Sequence, residues 1–308
     1  MTGTSPKTSV FFMMDGRQYE PMAILLAASL IHHNGDAFKI IAYTPKEKIP
    51  QITPLTTKVL KGWGVQIRPL PEPDVDGEIW ASPYPHGNKI LAALDERDCD
   101  LSYFFDTDMI CTGALDLGHM ISPNHMGAMV SDYKTWGGKK RWERAYKLFD
   151  LEVPELRVQF HRGQRLWSPP YFNAGLVGFP EKRGADGMTF SQIWFETARK
   201  LDFESGLDGL RWNLDQIALP IATVRSNCDF EIFSRDYNFN IQNADYDPAI
   251  SPKIMHYHKP KYLANWPQAQ ACFASCRKAV GEKRYRRLCS RFSGFFKYDL
   301  DAPKPIEE

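Results

Sequence analysis

The sequence predicts an α/β fold, a mostly parallel sheet covered by helices on both faces. Apolar runs of strand length alternate with segments whose apolar residues recur at helical spacing, the pattern of successive β and α units. The chain has 308 residues, 43% of them apolar, enough for a sizeable core. One strand, Leu101–Phe105, runs directly into Asp106-Thr-Asp108 and so delivers two carboxylates to its end. Carboxyl ends of parallel strands are where such sheets place ligands.

Ser9–Met14 is the first apolar run, and Pro21–His33 carries Met22, Ile24, Leu25, Ala28 and Ile31 at helical intervals. Lys39–Tyr43 repeats the strand signal, Lys46–Lys61 the helical one, and Val65–Arg68 a third strand before the breaker-rich loop 69–77. Gly87–Glu96 reads as a helix leading to the strand Leu101–Phe105. The segment Tyr133–Pro170, rich in Lys, Arg and Trp, breaks the rhythm and reads as an insertion or flap. Its Trp136, Trp142 and Trp167 are either sugar-stacking rings or a small satellite core. A strand over Ala174–Phe179, a helix over Thr189–Lys200, a polar turn over 208–213 and a helix over Leu214–Ala222 follow. The expected organisation is one catalytic domain over residues 8–270, with 133–170 as its flap, and a C-terminal extension over 271–308.

Lys and Arg (38) nearly balance Asp and Glu (37), which excludes the global basic field of a nucleic-acid binder. The cysteines at 99, 111, 228, 272, 276 and 289 form no Cys-x-x-Cys pair, so packing thiols in a reducing, cytoplasmic setting are expected. No apolar run has the length of a membrane span, and Met1–Thr8 is polar, unlike a signal peptide. The tail from Cys272 mixes Arg284, Arg286, Arg287, Arg291 and Lys297 with Tyr285, Phe292, Phe295 and Phe296. Such a segment either lies peripherally on an anionic membrane or is a solvated helix whose aromatics dock on the domain.

Residues i and i+2 of a strand share a face, so Asp106 and Asp108 can converge on one divalent cation; a merely solvated strand end is the alternative. His256, in Ile254-Met-His-Tyr-His258, completes a carboxylate, carboxylate, imidazole set or else caps a buried strand. That mixture suits Mn²⁺ better than Mg²⁺, because imidazole is the softer ligand.

In their order and spacing these motifs, together with Asp15 and Tyr19 after the first strand, Phe172-Asn-Ala-Gly175 and Leu214-Asp-Gln216, resemble the retaining glycosyltransferases of family 8 over roughly Ser9–Lys261. The resemblance implies a GT-A fold, Rossmann-like with a mostly parallel mixed sheet, and transfer of a hexose from a UDP-sugar to a hydroxyl acceptor, a glycan or glycolipid. It makes Asp106, Asp108 and His256 ligands of Mn²⁺ or Mg²⁺, and Asp15 and Tyr19 the pair that hold the uracil. Lys89, Asp132, Asn173, Ala174 and Gly175 then bind the donor sugar, and Asp215 and Gln216 lie beneath the sugar ring as the catalytic pair. The family's late motif has a Gly two or three residues after the His; this chain reads His256-Tyr-His-Lys-Pro-Lys-Tyr262 instead. Lys259 or Lys261 takes the diphosphate, and His258 takes the place of a backbone interaction that the Gly makes in the family. Two rivals keep the fold, a sugar-phosphate nucleotidyltransferase and a silent nucleotide-sugar-binding protein. The first lacks the Gly-rich basic loop it needs near the N-terminus.

Overall fold

A computed structural model describes residues 6–132, 136, 138–162, 166–184, 187–206, 211–242 and 244–303. Its strands and α-helices run β1 (Thr8–Met13), α1 (Glu20–Asn34), β2 (Lys39–Thr44), α2 (Pro54–Gly62), β3 (Gln66–Pro69), α3 (Asn88–Ala93), β4 (Leu101–Phe105), β5 (Met109–Cys111), β6 (His125–Val130) and α4 (Lys139–Lys147). They continue with β7 (Val158–Gln159), β8 (Trp167–Ser168), β9 (Phe172–Pro180), α5 (Phe190–Glu204), α6 (Leu214–Arg225), β10 (Asp229–Ile232), β11 (Phe239–Asn240), β12 (Ile254–His256), α7 (Pro267–Val280), α8 (Glu282–Arg291) and α9 (Ser293–Phe296). The result is a mixed α/β fold whose main sheet has seven strands and is mostly parallel. The chain divides into two compact units, one of Met1–Lys7, Pro71–Phe104 and Leu117–Phe233, the other of Thr8–Leu70, Phe105–Asp116 and Ser234–Glu308.

In the second unit, β1, β2 and β3 lie parallel in that order, with Phe11 opposite Ile41 and Tyr43 opposite Arg68. Helix α1 is apolar nearly all round, and Ala23, Ile24, Leu25, Leu26, Ala27 and Leu30 are fully buried. A helix of that composition needs neighbours on several sides, and α1 has them in α2, α7 and β5. Its one buried acid, Glu20, accepts from the Thr53 amide at 3.2 Å and from the hydroxyls of Thr53 and Thr56. The helix expected over Lys46–Lys61 is broken. Lys46–Gln51 is a 3₁₀ turn, and α2 starts only at Pro54. Pro50 and Pro54 lack the amide hydrogen a continuous helix would need, and Pro54 is tolerated because it opens the first turn.

The sequence reading missed a small sheet in this unit, β11-β12-β5, in which β12 runs antiparallel to β5 and His256 faces Met109. The C-terminal segment closes the unit. Rings of Tyr257, Phe273, Tyr285, Phe295 and Phe296 pack on one another with centroids 5.4 to 6.4 Å apart. Arg284, Arg286, Arg287, Arg291 and Lys297 are exposed. The aromatics therefore dock on the domain; residues 304–308 of the expected extension lie outside the described residues.

In the first unit the strand order is β10-β6-β9-β4. β10 is parallel to β6, and β6 is antiparallel to β9. The β6–β9 register shifts between Ala128, opposite Val177, and Met129, opposite Asn173. Ala174, Gly175 and Leu176 thus bulge out of the pairing, which re-aims their backbone groups. Helix α5 starts with a capping box formed by Thr189 and Gln192 and packs with α6. Within the expected flap, α4 and the β7–β8 hairpin are regular structure, while residues 133–135, 137 and 163–165 lie outside the described residues, as do 208–210 of the polar turn. Trp136 and Trp142 are buried with ring centroids 4.4 Å apart, and Trp142 also meets Tyr171 at 5.7 Å. Two of the three tryptophans are thus a satellite core. Trp167 alone of them is exposed, at 66%.

Candidate active site

Two side-chain clusters, one in each unit, gather six of the residues singled out from the sequence. In the second unit, β4 ends at Phe105 and the chain turns through Asp106-Thr-Asp108 into β5, with the Met109 amide donating to the Asp106 carbonyl at 3.1 Å. The Thr107 side chain donates its hydroxyl to the Met13 carbonyl, pinning the turn to the end of β1. Antiparallel pairing of β12 with β5 then carries His256 to the start of β5, and the Tyr257 amide donates to the Asp108 carbonyl at 3.0 Å.

His256 Nε2 lies 3.1 Å from Asp108 Oδ1 and 4.0 Å from Asp106 Oδ2. His258 Nδ1 lies 3.8 Å from Asp108 Oδ2. One ligand atom each from Asp108, His256 and His258 falls within 4.8 Å of the others. Ligands held about 2.1 Å from a shared cation stand about 3 to 4 Å from one another, and the 3.1, 3.8 and 4.0 Å separations fall in that range. The other nitrogen of His256, Nδ1, is 3.0 Å from Asn238 Oδ1. An amide oxygen only accepts, so Nδ1 carries the hydrogen and Nε2 is the nitrogen that faces the carboxylates, donating to them when the ring is charged and open to a metal when it is neutral. Burial pushes the Asp108 carboxyl up, but the charges and hydrogen bond of His256, with His258 beyond, outweigh it and hold the group at about 2. Asp108 is therefore an anion at neutral pH.

The pyrimidine candidates lie in the same unit. Asp15 forms an ion pair with Lys48, a residue with no signal in the sequence pattern. Tyr19 is half-buried, and its hydroxyl is pushed above its usual value by burial and then by the negative charges of Asp15, Asp108 and Asp106. Tyr19 thus stands in the electrostatic field of the acid pair. A cavity of 250 Å³ beside them is lined by Met14, Gly16, Arg17, Thr44, Lys48 and Ile52 among others. Lys259 and Lys261 are both exposed. Lys259 caps a 3₁₀ turn over Pro260–Asn265, and the Lys261 ammonium lies 5.0 Å from the Tyr262 ring centre.

In the first unit, Lys89 is no solvated surface lysine: it is 7% exposed, and its ammonium lies 3.2 Å from Asp215 Oδ2. It also donates to the Ala174 carbonyl at 3.0 Å, which the β9 bulge turns toward it, and sits 4.9 Å from the Phe104 ring centre. Tyr84 donates its hydroxyl to the other Asp215 oxygen at 3.1 Å and accepts from the Asp215 amide at 3.0 Å. Burial and the adjacent Asp215 charge push the Tyr84 hydroxyl far above its usual value, so it stays a donor. Neither Asn213 nor Asp215 caps α6 through its side chain: Asn213 makes no capping hydrogen bond, and the Asp215 carboxylate turns to Lys89 and Tyr84. Gln216 is half-buried on the same turn. Asn173 Oδ1 accepts from the Gly175 amide at 2.8 Å, bracing the bulge. Asp132 pairs with Arg162 at 3.4 Å. The structure thus joins Lys89, Ala174 and Asp215 in one cluster and gives Asp132 a separate basic partner.

The sequence matches the Rhodobacterales glycosyltransferase domain over residues 10–227. No curated protein matches it. Among solved structures, the bifunctional glycosyltransferase WbbM aligns at a TM-score of 0.50 and 14% identity, covering 88% of this chain and 52% of that one, so this chain spans about half the length of WbbM. The galactosyltransferase LgtC, solved with donor and acceptor sugar analogues, aligns at 0.47 and 13% identity over 88% of this chain and 95% of its own. GlyE of Streptococcus pneumoniae aligns at 0.48 and 17% identity over 88% and 61%. The likeness to WbbM is one of fold, the GT-A architecture. With a family match across well over half its length, this chain belongs to the Rhodobacterales glycosyltransferase domain family.

Proposed function

We propose that the chain is a cation-dependent, retaining hexosyltransferase of the family 8 type, moving a hexose from a UDP-sugar to a hydroxyl of a glycan or glycolipid. The observation that carries this reading is the meeting of Asp106, Asp108 and His256, far apart in sequence, with distances of 3.1 and 4.0 Å from one imidazole nitrogen to the two carboxylates. Asp106, Asp108 and His256 would hold Mn²⁺ or Mg²⁺, which when bound supplies positive charge to a diphosphate leaving group. Lys259 or Lys261, exposed just beyond His256, adds a cation aimed at the same diphosphate, an interaction that strengthens as negative charge builds there.

Asp15 and Tyr19 take the uracil in this reading, with the small cavity walled by Lys48 as its seat. Asn173, Ala174 and Gly175 line the transferred sugar, and Asp132 orients it through its pair with Arg162. Asp215 acts by fixing Lys89, since its two oxygens face Lys89 and Tyr84; Lys89 in turn touches the donor. That leaves Gln216 as the member of the pair that meets the face of the ring where the bond breaks. An amide is a weak nucleophile, and departure helped by charge needs no strong base. In this reading the enzyme works in the cytoplasm; no helix among the described residues is long and apolar enough to cross a membrane. The outward basic face of the tail gives an anionic membrane surface only charge to hold.

The test is release of UDP from a panel of UDP-hexoses, with Mn²⁺, with Mg²⁺ and with EDTA, followed by NMR of the anomeric proton of any transferred sugar. Cation-dependent release and a product with the donor's anomeric configuration are expected. Full turnover in EDTA, or an inverted product, would refute the reading.

A further inference from the structure

His258 lies two residues after His256, and its backbone has the left-handed conformation that favours glycine, φ +51°. Only Asp150 and Asn227 share a positive φ among the described non-glycine residues, and Asp, Asn and His are the side chains that best tolerate it. The left-handed turn folds the His258 ring back over His256, with centroids 3.8 Å apart. Asp108 is thereby bracketed, Oδ1 at 3.1 Å from His256 Nε2 and Oδ2 at 3.8 Å from His258 Nδ1. Two imidazoles this close repel each other when both are protonated, whereas a shared cation uses both as neutral ligands. The His258 side chain is 33% exposed, so a cation can reach it from solvent.

We propose that His258 is itself a ligand of the cation, giving this chain a donor set with two imidazoles that shifts its preference toward Zn²⁺ and Co²⁺ and away from Mg²⁺. The proposal rests on the metal reading above and adds to it a residue and a selectivity. A second nitrogen donor favours the later first-row cations, for which imidazole is well matched, while Mg²⁺ gains little from exchanging an oxygen ligand for nitrogen. A histidine that tolerates the left-handed conformation therefore changes which metal the site prefers while keeping the tight turn.

The experiment compares wild type with His258→Gly, which relaxes the backbone, and His258→Asn, which tolerates the same φ without an imidazole. Zn²⁺, Co²⁺ and Mg²⁺ affinities are measured by calorimetry with and without UDP, and the imidazoles bound to Zn²⁺ are counted by X-ray absorption. Both variants should lose about tenfold or more in Zn²⁺ affinity, the least that a direct ligand should cost. Mg²⁺ affinity should hardly change, and the imidazole count should fall from two to one. Zn²⁺ affinity and imidazole count unchanged in both variants would overturn this proposal and leave the metal reading standing. Failure of the wild type to bind any of the three cations, with or without UDP, would overturn both.

Discussion

His256 Nε2 and Asp108 Oδ1 lie 3.1 Å apart across 148 residues of chain, because β12 pairs antiparallel with the short strand that follows the Asp-x-Asp turn. The contact is made by topology: the Tyr257 amide bonds the Asp108 carbonyl, so imidazole and carboxylate share one hydrogen-bonded corner. Replacing Asp108 or His256 by Ala should lower Mn²⁺ affinity by about 100-fold or more while the thermal midpoint of the metal-free protein moves little. Mn²⁺ titration followed by EPR checks this. Affinity equal to wild type in either variant would show that the corner holds no cation.

Asn238 accepts from His256 Nδ1 and so fixes the tautomer. Asn238→Ala should weaken cation binding by about 10- to 100-fold without removing any ligand. Asn238→Asp, which keeps an acceptor there, should retain most of the affinity. If both variants bind like wild type, Asn238 has no orienting role.

Lys89 and Asp215 are a buried ion pair braced by Tyr84 and the Ala174 carbonyl. Removing one partner strands a buried charge, so Lys89→Met should destabilise the fold by about 3–5 kcal/mol. The double variant Lys89→Met, Asp215→Leu should recover much of that stability and none of the turnover. Urea denaturation reads the first effect and an activity assay the second.

The tail aromatics Phe273 and Phe296 are buried, at 0% and 1% exposure. Phe296→Ala should cost about 3–5 kcal/mol by cavity formation. Charge reversal at exposed Arg286 and Arg287 should leave the thermal midpoint nearly unchanged and abolish any sedimentation with anionic vesicles. A Phe296→Ala protein as stable as wild type would mean that the tail is not part of the core.

Burial raises the thiols of Cys272 and Cys276, pushes Cys111 up to about 11 and Cys289 to about 12, so the thiolate forms only in strong alkali. In native protein at pH 8 these four should resist alkylation while half-buried Cys99 reacts first, as mass spectrometry of trapped thiols will show. None of the six cysteines is in a disulfide, so reductant should not shift the melting temperature.

Local chemistry made the strand Leu101–Phe105, helix α1 and helix α6 readable from sequence, because each carries its own periodicity and start signal. The Asp-x-Asp turn was legible for the same reason: an apolar run that ends in two acids marks where the strand stops. The break at Ile52–Pro54 was written in Pro50 and Pro54, but a helical pattern continuing on both sides masked it.

The sequence by itself determined the order of α and β units and the strand that carries the carboxylates. Tertiary structure alone decided that His258 turns back over His256, that Asn238 and Lys48 partner His256 and Asp15, that Lys89 lies buried against Asp215, and that Trp136 and Trp142 are core. These are non-local pairings, set by strand register, a β-bulge and one left-handed residue. A one-residue change in register turns a side chain to the opposite face, and hydrophobic periodicity along the chain does not encode which distant strand will be its partner.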